Sequence, residues 1–141
     1  MIFSVPYSGT RTLALEVFND PFRKTGTYLH FGDHDLQIEA YSGDVSIPVR
    51  NPIDILLAWQ ARGLSVQEAL RRLGLMISYV TDNPNPVKLY PIEQFATKLG
   101  HVDSRKNGLR DVDLAQRVLQ RWLTPERRAF YTEYGLPNYQ I

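Results

Sequence analysis

The first residues suited to holding an anion lie near the start of the chain. The apolar residues Ile2, Phe3 and Val5 predict a short buried strand, and Pro6 ends it because proline lacks a backbone donor. Ser8, Gly9 and Thr10 follow, just ahead of a stretch with helical character. Backbone N–H groups at a helix start favour a negative charge, so the loop predicts a phosphate site, or else a turn that caps the helix without a ligand. Its spacing is not the G-x-x-x-x-G-K-[ST] of a Walker A loop, which argues against hydrolysis of ATP or GTP.

A second element, residues 50–54, has the sequence Arg-Asn-Pro-Ile-Asp. Arg50 ends a predicted strand and directly precedes a predicted helix. A guanidinium in that position can make a forked hydrogen bond to a phosphate. The alternative is that Arg50 pairs with Asp54 and only stabilises the start of the helix.

A third element is a basic loop later in the chain. It contains Arg105, Lys106 and Gly108. Two adjacent cations and a glycine are suited to binding an anion, but a solvated basic turn has the same composition.

Alternating strand and helix patterns position these elements. Strands are predicted over residues 2–5, 25–31, 45–49 and 87–90. Helices are predicted over residues 10–18, from 52 to a stop at 63, over 65–80, over 92–99 after an opening Pro91, from 111 or 113 to 123, and from 124 to about 135. Residues 36–42 fit either a short helix or an irregular segment.

This alternation predicts an α/β fold. Strands separated by helices pair in parallel through right-handed crossovers, so we expect one domain over residues 1–141 with three layers and about four parallel strands. Ligands of such sheets lie over the carboxyl ends of the strands. The loops after Val5, Phe31, Val49 and Tyr90 should therefore share one edge.

The composition excludes several other classes of protein. The 141 residues include no cysteine, which excludes disulfides, a thiolate nucleophile and cysteine-ligated zinc. The net charge of +1 argues against a strongly basic nucleic-acid binder. No apolar run approaches the roughly 20 residues that span a bilayer, and the first residues lack the features of a signal peptide. We therefore expect a soluble cytoplasmic protein without a membrane partner, which could bury an exposed face as a homodimer.

Taken in this order, the three elements resemble the nucleotide-binding elements of the sulfotransferase family, whose sulfuryl donor is 3′-phosphoadenosine 5′-phosphosulfate (PAPS). The family's 5′-phosphosulfate loop is Pro-Lys-Ser-Gly-Thr-Thr, to which residues 6–11 are similar. Its 3′-phosphate element, Arg-Asn-Pro-x-Asp, matches residues 50–54 at every fixed position, and the basic loop resembles its late Arg-Lys-Gly loop with one extra residue.

The resemblance implies a P-loop-like fold of sulfotransferase type. It also implies transfer of a sulfuryl group from PAPS to a hydroxyl or amine of a small-molecule or glycan acceptor, with no metal. The cofactor-binding residues that it implies are Tyr7, Ser8, Gly9, Thr10, Arg11, Thr12, Arg50, Arg105, Lys106 and Gly108. The alternatives are a kinase-like P-loop enzyme, which would need Mg²⁺, and a non-catalytic descendant that binds a nucleotide or a partner.

Members of the family place a catalytic base before the Arg-Asn-Pro element. His34 is the candidate, because Asp33 and Asp35 flank it and could orient its ring. His30 is the alternative, since its distance from Arg50 in the sequence is closer to the family pattern. The close spacing of residues 33–35 prevents all three side chains from facing one ion, so no metal site is predicted.

The sequence departs from the family at two positions. Tyr7 stands where the family has a lysine that neutralises the phosphosulfate, so another cation must supply that charge. Arg11, Arg23 and Lys24 are the candidates. Ala58 stands where the family tends to have a serine that binds the 3′-phosphate.

Overall fold

The computed structural model describes residues 1–19, 28–83, 85–94 and 111–134. These residues contain the strands β1 (Ile2–Ser4), β2 (Tyr28–His30), β3 (Val45–Val49) and β4 (Val87–Pro91). The strands form one sheet in the order β2-β1-β3-β4, and every neighbouring pair is parallel. The predicted α/β fold with about four parallel strands is therefore confirmed.

Helices follow or connect the strands. They are α1 (Thr10–Glu16), α2 (Asp35–Ala40), α3 (Pro52–Ala61), α4 (Val66–Asp82), α5 (Val112–Trp122) and α6 (Pro125–Tyr134), together with a 3₁₀ turn over Ile92–Gln94. The ambiguous segment 36–42 is thus mostly helical. The remainder of the helix predicted over residues 92–99 lies outside the described residues.

Local signals account for the helix starts. The Asn51 side chain accepts from the backbone N–H of Ile53, and Pro52 occupies the first turn of α3. The Ser65 side chain accepts from the backbone N–H of Glu68 at the start of α4, as the capping-box pattern predicts. None of the described helices is long and apolar enough to cross a membrane.

One boundary prediction was wrong. Pro91 completes β4, where it pairs with Val49, instead of opening the next helix. β4 is at the edge of the sheet and pairs only with β3 among the described strands, so a missing backbone donor is tolerated there.

Helices cover both faces of the sheet. On one face, Leu13 of α1 packs with Ile2 and Tyr90. On the other face, Phe3 and Ile47 belong to the main core together with residues of α3 and α4. Because β2 and β3 lie on opposite sides of β1, their connections leave for opposite faces, and a topological switch point forms between β1 and β3.

Candidate functional site

The switch point brings together two of the three elements that the sequence singles out. The loop after β1 and the residues after β3 follow adjacent parallel strands, so both lie at the carboxyl edge of the sheet. The half-buried Arg50 donates from Nη1 to the backbone oxygen of Tyr7 over 2.9 Å. This is the edge at which open α/β sheets bind ligands.

The loop begins with a tight turn. Ser8 donates its backbone N–H to the oxygen of Val5 over 3.1 Å, with Pro6 and Tyr7 at the two central positions. Tyr7 has a φ of 70°, which lies in the left-handed region and is typical of the third position of a type II turn. A side chain there costs about 1–2 kcal/mol relative to glycine.

One side chain of α3 and one from the residues between β3 and α3 hold this turn. Trp59 donates from Nε1 to the Pro6 oxygen over 3.0 Å, while Arg50 binds the oxygen of the next residue, Tyr7. The Tyr7 ring meets the Trp59 ring edge-on, with centroids 6.3 Å apart. These contacts compensate for the strained backbone at Tyr7.

Gly9 connects the turn to α1 under two constraints. Its φ is 105°, and a Cβ at this position would lie 2.4 Å from Cγ1 of Ile92. Both the backbone conformation and the close approach therefore require glycine.

The candidate hydroxyls on either side of Gly9 have different environments. Thr10 is 8% exposed, and its hydroxyl donates to the Ser4 hydroxyl over 2.7 Å. Ser8 is fully buried, and its hydroxyl has no hydrogen-bond partner among the described residues. An unpaired buried hydroxyl costs free energy that a bound anion could recover. Of the other predicted residues in this loop, Arg11 is exposed and Thr12 is half-buried.

Two further arginines approach this loop or the tryptophan that binds it, and neither was predicted from the sequence. The guanidinium carbon of Arg62 lies 4.0 Å from the centre of the Tyr7 ring. That of Arg72 lies 5.5 Å from the centre of the Trp59 ring. Together with Arg50, three guanidinium groups contact this loop or the tryptophan that holds it. The sequence signal for Arg62 is only its position before the glycine that ends α3.

The two candidate bases lie at the end of β2. His30 is its last residue and is in register with Ser4 of β1, which places it at the same edge of the sheet, one strand away from the switch point. His34 accepts the backbone N–H of His30 at Nδ1 over 2.9 Å. The proton of a neutral His34 is therefore assigned to Nε2. The Nε2 atom can act as a base only after the ring leaves its hydrogen bond with the His30 N–H and the proton moves to Nδ1.

The carboxylates that flank His34 have other partners. Asp33 pairs with Arg72 over 2.8 Å, and Asp35 accepts the backbone N–H of Gly32 over 2.9 Å. Hydrogen bonding to Arg72 lowers the pKa of Asp33, and the charges of the two nearby histidines act in the same direction. The expectation that both carboxylates orient the His34 ring is therefore not met in this arrangement.

Arg72 connects residues 31–34, the loop after β2, to α4. Its side chain is 13% exposed, and besides Asp33 it contacts Glu68 over 3.1 Å and the oxygen of Phe31 over 3.3 Å. The guanidinium thus fixes the loop after β2 to α4, next to Trp59, which in turn binds the loop after β1.

A carboxylate from the segment after β4 also lies at the carboxyl edge of the sheet. Glu93 accepts the backbone N–H of Asn51 at Oε1 over 2.8 Å. Asn51 is only 6% exposed and also caps α3. The loops after all four described strands therefore meet at one edge, as the parallel arrangement predicts.

Several predicted residues lie outside the described part of the chain. These are Arg105, Lys106 and Gly108 of the basic loop, and the alternative cations Arg23 and Lys24. Within the described ranges, no group of three histidine, aspartate or glutamate residues could hold a metal ion.

Comparison of the chain with protein-family models, curated proteins and solved structures finds no match. The functional argument therefore depends on the residues and their geometry. They define a parallel α/β protein with a glycine-containing loop at its switch point, which the side chains of Arg50 and Arg62 contact.

Proposed function

We propose that this edge binds PAPS and that the protein is a sulfotransferase with a P-loop-like fold. The observation that carries the proposal is the 2.9 Å contact between Arg50 and the Tyr7 oxygen. It joins the Arg-Asn-Pro-x-Asp element to the Ser-Gly-Thr loop, the two elements that resemble the donor-binding elements of the family.

The charge of the edge is suited to a donor with several anionic groups. In the proposal, the backbone N–H groups of residues 9–12 and the hydroxyls of Ser8 and Thr12 bind the 5′-phosphosulfate, and Arg50 binds the 3′-phosphate with Arg105, Lys106 and Gly108. The unpaired Ser8 hydroxyl supports the first assignment, because it is the buried donor in this loop that lacks a partner among the described residues.

Sulfuryl transfer requires charge stabilisation and removal of one proton. The acceptor oxygen or nitrogen bonds to sulfur while the bond from sulfur to the bridging phosphate oxygen breaks, and adenosine 3′,5′-bisphosphate leaves. The acceptor proton passes to a base. Cations near the loop stabilise the negative charge that grows on the leaving oxygen.

Arg62 is the described cation best suited to replace the family lysine. It stacks on the ring of Tyr7, the residue that occupies the lysine position. One of its five N–H donors binds the oxygen of Ala58 over 3.0 Å, so further donors can turn toward an anion. Arg11, which is exposed in the first turn of α1, is the alternative.

His30 is the better placed of the two candidate bases. It lies at the end of the strand that pairs with β1, whereas the Nδ1 atom of His34 is engaged by a backbone N–H. In this proposal His30 takes the acceptor proton, and His34 supports the backbone of His30.

Calorimetric titration with adenosine 3′,5′-bisphosphate, beside ATP with Mg²⁺, tests the proposed site. We expect the bisphosphate to bind more tightly than ATP. Arg50→Ala should weaken it roughly 10- to 100-fold, because a charged hydrogen bond contributes about 1.5–3 kcal/mol. Arg117→Ala, which removes an exposed charge from α5, is the matched control and should bind like the wild type.

Thermal unfolding of each variant without ligand separates lost binding from lost folding. Equal binding by wild type and Arg50→Ala would contradict the proposed site. Tighter binding of ATP with Mg²⁺ would instead favour phosphoryl transfer. Failure to bind either nucleotide would favour the non-catalytic alternative.

A further inference from the structure

The opposite edge of the sheet contains a second feature, an open cavity on the surface with a volume of about 460 Å³, in which Glu39 and Asp82 are exposed. It lies between the last turns of α2 and α4, next to the segments that precede β3 and β4. Its volume is within the range of small-molecule sites, which is about 300–1,000 Å³. The strands separate this cavity from Arg50, so its ligand is distinct from the proposed donor.

Two tyrosines form a rigid wall of the cavity. The rings of Tyr41 and Tyr79 both meet Phe3 edge-on, with centroid distances of 5.6 and 5.5 Å. Asn85 donates from Nδ2 to the Tyr41 oxygen over 2.9 Å, and its backbone N–H donates to Asn83 over 2.8 Å. The wall is therefore held in place without a ligand.

The charges around the cavity are all of one sign. Glu39 is in the last turn of α2, Asp82 is in the last turn of α4, and neither last turn contains a basic residue. A helix C-terminus carries partial negative charge, so a carboxylate there is unfavourable. No ion pair joins either carboxylate to another residue in the described ranges. Two helix ends and two carboxylates thus create a negative potential that a cation would neutralise.

A buried polar atom also faces this region. The hydroxyl oxygen of Tyr79, a residue that lines the cavity, is buried and has no hydrogen-bond partner among the described residues. Burial raises the pKa of Tyr79. The side-chain amides of Asn83 and Asn85 offset part of this rise, although neither meets the geometry of a hydrogen bond. The oxygen therefore keeps an unused acceptor position, which a ligand reaches by displacing the neighbouring amide of Asn83 or Asn85.

We propose that this cavity binds a small organic cation with a guanidinium or ammonium group. The cationic group lies between Glu39 and Asp82, its N–H donates to the Tyr79 oxygen, and the apolar part of the ligand lies against the ring of Tyr41. This site does not depend on the proposed sulfotransferase activity.

The test compares N-butylguanidinium with N-butylurea, a neutral molecule of nearly the same shape. Binding is measured by calorimetry and by shifts of backbone amide resonances. We expect the guanidinium to bind at least tenfold more tightly than the urea, with the largest shifts around Tyr79 and Asn85. Equal binding of the two, or shifts centred on the Arg50 edge, would overturn the proposal.

Charge-removing variants provide the second arm. The double variant Glu39→Gln, Asp82→Asn should bind the guanidinium at least tenfold more weakly, yet its ligand-free melting temperature should rise because two unfavourable helix-end charges are gone. The control variant Glu126→Gln, Glu133→Gln removes the same charge from α6 and should bind like the wild type. Unchanged binding by the first variant would overturn the proposal.

A third variant, Tyr79→Phe, isolates the hydroxyl. It keeps the ring and its contact with Phe3, so the fold should be retained. We expect guanidinium binding to weaken several-fold while urea binding changes less. If binding of the guanidinium is unchanged, the Tyr79 oxygen does not accept a hydrogen bond from the ligand and that part of the site is wrong.

Discussion

Replacing Gly9 by alanine tests the geometry of the proposed donor-binding edge. Gly9 begins α1 at a φ of 105°, and an added Cβ would lie 2.4 Å from Cγ1 of Ile92. Ile92 is 1% exposed and follows β4, so it cannot move aside into solvent. The substitution therefore perturbs the contact that joins the loop after β1 to the segment after β4.

The expected loss of stability has two parts. Alanine in the left-handed region costs about 1–2 kcal/mol, and overpacking against a buried side chain costs about 1–3 kcal/mol. Alanine also lowers the conformational entropy of the unfolded chain, which offsets about 0.4–1 kcal/mol of this loss. We expect Gly9→Ala to lower the free energy of unfolding by about 1–5 kcal/mol, compared with the 5–15 kcal/mol typical of such domains.

Urea unfolding followed by circular dichroism measures this change, and Gly63→Ala is the matched control. Gly63 has a φ of 69° but no atom within 4 Å of its added Cβ, so only the backbone cost applies and about 1 kcal/mol is expected. The difference between the two variants measures the clash with Ile92. Equal losses for Gly9→Ala and Gly63→Ala would refute the close approach.

A double-mutant cycle with Ile92→Ala gives an independent check. This change removes the Cγ1 atom and should relieve the clash, so the double variant should be about 1–3 kcal/mol more stable than the two single losses predict. Additive losses would mean that Gly9 and Ile92 are not in contact.

Two further predictions concern the side chains that hold the edge together. In Arg72→Met, Asp33 loses the partner that lowers its pKa. A lowered pKa contributes stability above the unfolded value of about 3.9, and this contribution disappears as the pH falls through the folded value. The stability gap between wild type and Arg72→Met should therefore be larger at pH 7 than at pH 3 in urea titrations, and a constant gap would contradict the pairing. Trp59→Phe removes the 3.0 Å hydrogen bond to the Pro6 oxygen and should destabilise the protein by at least about 1 kcal/mol in the same assay; unchanged stability would show that this bond does not hold the loop.

Local signals in the sequence predicted the elements well. Proline at position 52 and the hydroxyl of Ser65 predicted the starts of α3 and α4, and β3 has the predicted bounds Val45–Val49. These features depend on residues a few positions apart, so the chain order alone contains the information. The predicted boundary at Pro91 was wrong because a strand can include a proline where it lies at the edge of the sheet, and the sequence does not show which strand lies there.

The partners within the candidate site were harder to predict. Arg62 stacks on a ring 55 positions away, and the Nδ1 atom of His34 accepts a backbone N–H instead of facing a substrate. Nothing in the spacing of these residues indicates either contact. The proposed roles of Arg105 and Lys106 stay predictions, because both lie outside the described residues.

By itself, the sequence determined that strands and helices alternate, that the sheet is parallel, and that small and basic residues follow its strands. These properties arise from hydrophobic periodicity and from capping and turn residues, which act over short distances. Only the tertiary structure decided that β1 lies between β2 and β3, and hence that Arg50 meets Tyr7. Strand order depends on how distant apolar surfaces pack together, and the same local pattern is compatible with several such orders.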